Sequence, residues 1–142
     1  MITTVTRRYT FESAHWLPRV PPTHKCSRVH GHNYTIDVTL AGEPDDRGFV
    51  MDFWDLDRVL DPLIAVVDHR VLNEVAGLEN PTAEIISRWF LEQVDFALSA
   101  LDKPHPRVVR VRCHEVLDRC WAEVQPDLRL YKVGPTRTRR GL

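Results

Sequence analysis

Cysteine is scarce in this chain: Cys26, Cys113 and Cys120 are the three among 142 residues. An odd number of thiols with no secretory leader argues against a disulfide-stapled scaffold and leads us to expect reduced thiols in a cytoplasmic protein. Long apolar runs are missing too, so no membrane-spanning segment is expected. Nor is there an excess of charge of one sign, because 19 basic and 20 acidic residues leave a formal net charge of -1, and nothing asks for a nucleic-acid partner. No internal repeat or linker divides the sequence. A chain of this length can bury roughly two-thirds of the surface that it exposes when unfolded, so neither a metal nor a disulfide is needed merely to fold it. We place a single domain at residues 1–130 and expect a loose basic tail over 131–142.

Against that plain background stands a concentration of metal-ligating residue types: His15, the pair His30-Gly31-His32, and Cys26 four residues before the pair. In an extended segment, side chains alternate faces, so His30 and His32 point the same way and can bite one ion, with Gly31 expected to leave room for the backbone. Three neutral imidazoles suit zinc. A catalytic zinc keeps three protein ligands and an open position, whereas a structural one fills all four, so the role of Cys26 decides between the two cases.

Periodicity places these residues. From Ile2 to His15 the chain alternates, with Val5, Arg7, Tyr9, Phe11, Ser13 and His15 on one face and Thr4, Thr6, Arg8, Thr10, Glu12 and Ala14 on the other. After a Pro-rich loop, Gly31 to Leu40 alternates again, His32 sharing a face with Tyr34, Ile36, Val38 and Leu40. Asp52 starts a helix through Phe53, Leu56, Leu60, Ile64 and Val67, which Pro62 is expected to kink or break. Thr82 caps a second helix with the stripe Ile86, Trp89, Phe90, Val94, Ala97 and Leu101. Two strands follow near Arg107–Val116 and Arg119–Gln125, the first with Val109, Val111, Cys113 and Glu115 on one face. The order ββααββ predicts an α+β domain: a four-stranded antiparallel sheet with two helices on one face. Trp16, Trp54, Trp89 and Trp121 read as packing residues.

Five separated motifs carry a resemblance: Phe11-x-x-Ala14-His15, Cys26-x-x-x-His30-Gly31-His32, Asp68-His69-x-x-Leu72-Asn73, Asn80-Pro81-Thr82-x-Glu84, and Glu115. In order and spacing the chain resembles the 6-pyruvoyl-tetrahydropterin synthase family, and within it the bacterial 6-carboxytetrahydropterin synthase branch of queuosine and 7-deazaguanine biosynthesis. The resemblance implies the tunnelling fold (T-fold), whose sheets join into a barrel in a trimer, two trimers stacking into a homohexamer. It also implies zinc on His15, His30 and His32, Cys26 as a proton-transfer residue with Asp68 and His69 as relay partners, and Glu115 as the pterin anchor. Thr82 and Glu84 join Glu115 in the substrate-binding set, although their simplest local roles are helix cap and dipole-stabilising residue. The implied substrate is 7,8-dihydroneopterin triphosphate, with His24, Lys25 and Arg28 as candidates for its phosphates. One departure is that Val116 and Leu117 follow Glu115, where the family commonly has Thr.

Each role has a chemical basis. A bound zinc supplies Lewis acidity toward a substrate oxygen as a neighbouring C–H proton leaves, and a thiol beside a cation ionises more easily and can serve as base. An imidazole oriented by a carboxylate passes protons near neutral pH. A carboxylate can accept both adjacent donors of a pterin edge. Two other readings stay open: stopping at the 6-pyruvoyl stage, and a non-catalytic zinc-binding protein of the same fold in which Cys26 closes the site. A cupin-like hydrolase fits poorly with two consecutive central helices.

Overall fold

The computed structural model describes residues 1–101 and 105–127; the basic tail lies outside the described residues. Strands β1 (Thr3–His15) and β2 (His30–Gly42) form a long antiparallel hairpin, followed by helix α1 (Phe53–Val67), a short strand β3 (Arg70–Val71), helix α2 (Ala83–Ser99), and strands β4 (Arg107–Val116) and β5 (Cys120–Val124). The sheet order is β3-β1-β2-β4-β5. The expected four antiparallel strands are all present, and β3 adds a fifth, two residues long and parallel to β1 at Ser13 and Ala14. The α+β T-fold arrangement therefore holds, with ββαβαββ as the full element order.

Both helices pack on one face of the sheet, α1 against β1, and α2 against β4 and β5. Alternation on β1 and β2 sends Phe11, Tyr34, Ile36, Val38 and Leu40 into this layer, where they meet Leu56, Leu60, Val67, Ile86, Phe90, Val94 and Leu98. The opposite face is polar. There Arg8 forks onto Asp37 (2.7 and 3.0 Å), and the hydroxyls of Thr6 and Thr39 pair at 2.8 Å. Among the described residues, no helix is long and apolar enough to cross a membrane.

Several local expectations are corrected. Helix α1 runs unbroken through Pro62, whose exposed position lets the carbonyl it strips of a partner turn to water. Phe53, in the first turn beyond the Asp52 cap, is largely exposed rather than part of the stripe. On α2 the buried stripe ends with Leu98; the helix stops at Ser99, so Leu101 falls past its end and is 43% exposed. A bulge opposite Thr39 and Leu40 puts Val108, not Val109, beside Val111 and Cys113 in the core. Of the four tryptophans only Trp89 is buried, and Trp54 is 73% exposed.

Phe90 is fully buried, 5.9 Å from the Phe11 ring and edge-on to Trp89. Phe90→Ala is expected to cost about 3–5 kcal/mol. Denaturant unfolding measures this, and a loss below 1 kcal/mol on that scale would mean the layer repacks freely.

Candidate metal and substrate site

The hairpin register sets the site. His15 lies opposite His30 and Ser13 opposite His32, so all three imidazoles emerge on the helix-covered face at one end of the sheet. Gly31 is not required for this approach: a Cβ there would meet only the Ser13 carbonyl, at 3.6 Å, an ordinary contact.

The ring nitrogens are oriented by backbone. His15 Nδ1 lies 2.8 Å from the Pro81 carbonyl and His30 Nδ1 2.7 Å from the Arg28 carbonyl. A carbonyl only accepts, so both Nδ1 atoms carry the proton, and in the neutral rings both Nε2 atoms present lone pairs. Those lone pairs face each other at 3.1 Å, a repulsion that a shared proton or a metal ion between them would relieve. Burial holds the pKa of His15 and of His32 below the usual imidazole value, and the neighbouring imidazoles lower both further. Neutral rings are the form that ligates a metal.

Glu115 completes the group. A register shift between His114 and Val116 in the β4–β5 ladder sits at this residue, a device that re-aims side chains beside functional sites. Its Oε1 is 2.8 Å from His32 Nε2 and 3.7 Å from His15 Nε2. The donor atoms of His15, His30, His32 and Glu115 all lie within 4.8 Å of one another and could hold a metal ion. Four donors about 2.0–2.1 Å from a tetrahedral ion stand about 3.3 Å apart, and the observed 3.1, 3.7 and 2.8 Å separations straddle that spacing. One of these donors, His32 Nε2, is buried without a hydrogen-bond partner. These residues fit a metal.

Cys26 is outside this group. It sits half-buried in a short turn, Lys25–Ser27, whose backbone is tied by Leu17 N–H to the Cys26 carbonyl at 2.8 Å and by Cys26 N–H to His24 Nδ1 at 3.0 Å. The alternative of Cys26 as the closing ligand is thus not supported by the donor geometry. Thr82 caps α2 through the Ile85 amide, and Glu84 is exposed in the first helical turn.

Asp68 and His69 are brought to each other but not to the imidazole cluster. Asp68 follows the last residue of α1 and accepts the Glu12 amide at 2.9 Å, and its other oxygen lies 2.9 Å from His69 Nδ1. His69 adopts φ 54, with its amide held by the Glu12 carbonyl at 2.6 Å, an uncommon backbone state for a non-glycine residue. Its Nε2 is 3.7 Å from the Glu12 carboxylate. Glu12 alternates with Ser13 and His15, so the relay pair sits against the sheet face opposite the cluster, and His69 meets His32 and Glu115 only as lining of one open cleft. The Asp68 carboxylate raises the His69 pKa, with Glu12 adding to it, while the Glu12 amide and His69 hold Asp68 below the usual carboxylate value.

Sequence reasoning missed three contributors. Asn73 clamps both backbone groups of Trp16, just after His15, at 3.0 and 2.8 Å. The Pro81 carbonyl orients a ligand but has no side-chain signature. Glu12 joins the relay pair, and its only signal was its place on the β1 face opposite His15. Two polar neighbours of Glu115 in sequence or on the paired strand are occupied elsewhere, His114 with Asp37 at 3.1 Å and Glu123 with Arg112 at 2.8 Å.

Known proteins align with this arrangement. A Synechocystis protein named 6-carboxy-5,6,7,8-tetrahydropterin synthase is 38% identical over 97 residues, covering 64% of this chain and 74% of its own. A Pyrococcus furiosus protein named dihydroneopterin monophosphate aldolase is 34% identical over 87 residues, 61% of this chain and 70% of its own. The Caenorhabditis elegans 6-pyruvoyl tetrahydropterin synthase structure superposes with a TM-score of 0.75 at 26% identity, over 88% of this chain and 96% of that one. The sequence profile described as 6-pyruvoyl tetrahydropterin synthase matches residues 4–127, from the start of the histidine hairpin past β5. With profile, fold and ligand hairpin in agreement, the chain belongs to the 6-pyruvoyl tetrahydropterin synthase family.

Proposed function

We propose that the protein is a cytoplasmic, zinc-dependent 6-carboxy-5,6,7,8-tetrahydropterin synthase that converts 7,8-dihydroneopterin triphosphate to 6-carboxytetrahydropterin, acetaldehyde and triphosphate in queuosine and 7-deazaguanine biosynthesis. The observation that carries it is the set of three imidazoles converging with Glu115 at the sheet end, in a chain of this family. His15, His30 and His32 would hold zinc, which when bound supplies Lewis acidity toward substrate oxygens. Cys26, on the loop leading into β2, serves as the base that takes a side-chain proton. Asp68 orients the His69 imidazole and stabilises its charged form, so that it can return protons. Glu115 grips the two adjacent donors of the pterin edge. The separation of His69 from the cluster within one chain supports an oligomer in which a second copy delivers the relay pair. Exposed Val29, Val116, Leu117 and Trp121 and the β5 edge, unpaired among the described residues, favour the same assembly, which in this family reading is a trimer or a homohexamer.

Incubating purified protein with dihydroneopterin triphosphate should yield triphosphate and acetaldehyde in equal amounts, together with the carboxylated pterin. Triphosphate without acetaldehyde, and accumulation of 6-pyruvoyl-tetrahydropterin, would reassign the branch to simple elimination. No turnover by a zinc-loaded, folded protein would favour the non-catalytic reading.

A further inference from the structure

Resting on the metal-site reading above, we infer that Glu115 is the fourth ligand of the substrate-free centre and leaves that position when the pterin arrives, so that a single carboxylate first closes the ion and then receives the substrate.

Four observations converge. First, Glu115 Oε1 stands 2.8 Å from His32 Nε2, yet that nitrogen makes no hydrogen bond, so the oxygen lies off the donor direction. Two polar atoms this close without a hydrogen bond between them are aimed at a common third point. Second, several carboxylates on the sheet and its neighbouring helix are held by guanidinium groups: Asp37 by Arg8, Asp57 by Arg7, Glu123 by Arg112. Among the described residues, Glu115 has no Arg or Lys within ion-pair distance and faces imidazoles alone. A half-buried negative charge against neutral rings is costly, and a divalent ion at their focus removes that cost. Third, the imidazoles supply only three donors and Cys26 is not among the group, so the position is available to a side-chain oxygen. Fourth, Glu115 falls within the β4–β5 register shift and also lines the open cleft that runs past Gly31, Asn33 and His69. Its side chain therefore borders both the donor cluster and the cleft.

The closed state shields the Lewis acid from adventitious anions and holds the carboxylate near the place where the pterin edge must dock.

Cobalt(II), whose visible bands report its ligands, tests this in the full-length protein. Outer-shell partners alone are worth about 10–100-fold in metal affinity, so Glu115→Gln should weaken cobalt binding by at least about tenfold and allow thiocyanate to shift the bands at concentrations that leave the parent protein unchanged. Glu115→Asp, which shortens the carboxylate but keeps its charge, should fall between the two. Neopterin added to the parent protein should itself shift the bands as Glu115 departs. Equal cobalt affinity and equal thiocyanate response in parent and Glu115→Gln would overturn the ligand assignment. Bands indifferent to saturating neopterin would overturn the exchange. Full cobalt retention by His30→Ala would instead sink the metal centre itself, a failure distinguishable from either of these.

Discussion

Purified His32→Ala should contain almost no zinc, against about one ion per chain in the parent protein, and should be inactive. Its imidazole is one of four donors within 4.8 Å, and Ala removes a ligand from a set whose positions are fixed by the hairpin, leaving two rings and a carboxylate to hold the ion more weakly. Cys26→Ala should behave differently. The thiol lies outside the donor group, so zinc content should stay near one per chain while turnover falls by about 10²–10⁴, the usual worth of a positioned base. Metal analysis and steady-state kinetics on the same preparations separate the two roles. Zinc lost from the Cys26 variant would make the thiol a ligand after all and revive a closed structural site.

His69→Ala should lower kcat by about 10²–10⁴ with KM little changed, since a proton-returning group acts on the transition state more than on binding. The pH profile is the sharper readout. Asp68 lies 2.9 Å from His69 Nδ1 and raises its pKa, so the imidazolium persists above the usual value of about 6.5. A rate that needs the imidazolium is complete below that raised pKa and is lost as pH climbs through it. Asp68→Asn removes the charge that raises it, so the alkaline limb should move down toward the ordinary histidine value. A limb that stays in place would assign it to another group, and an unimpaired His69→Ala enzyme would retire the relay altogether.

Both experiments rest on residues that differ in how readable they were. The imidazole triad was legible because a period of two fixes faces without knowledge of the rest of the fold, and the hairpin register then seats His15 against His30. Glu115 was placed on the Cys113 face for the same reason, but its turn onto His32 depends on a register shift with no sequence signal. The bulge that exchanges Val109 for Val108 is equally silent, because it is set by how β2 and β4 fit together. The buried helical stripe was read correctly up to Val94 and then overshot to Leu101, since nothing at Ser99 announces a stop. Pro62 misled in the other direction: its effect depends on exposure, which only the packing of α1 decides. The face taken by Asp68 and His69 could not be read at all. It follows from the parallel pairing of β3 with β1 and from the left-handed backbone at His69, features set by long-range geometry.

The pairing of His15 with His30 has one more consequence. If β1 slipped by one residue against β2, Glu12 or Ala14 would turn inward in place of Ser13 or His15, and His15 would turn away from the two rings of its partner strand. Such a chain offers an ion only two imidazoles. A metal bound at this site would thereby proofread strand pairing: its binding energy would be released only to correctly aligned hairpins, would draw the folding population toward them, and would leave misaligned chains as apoprotein.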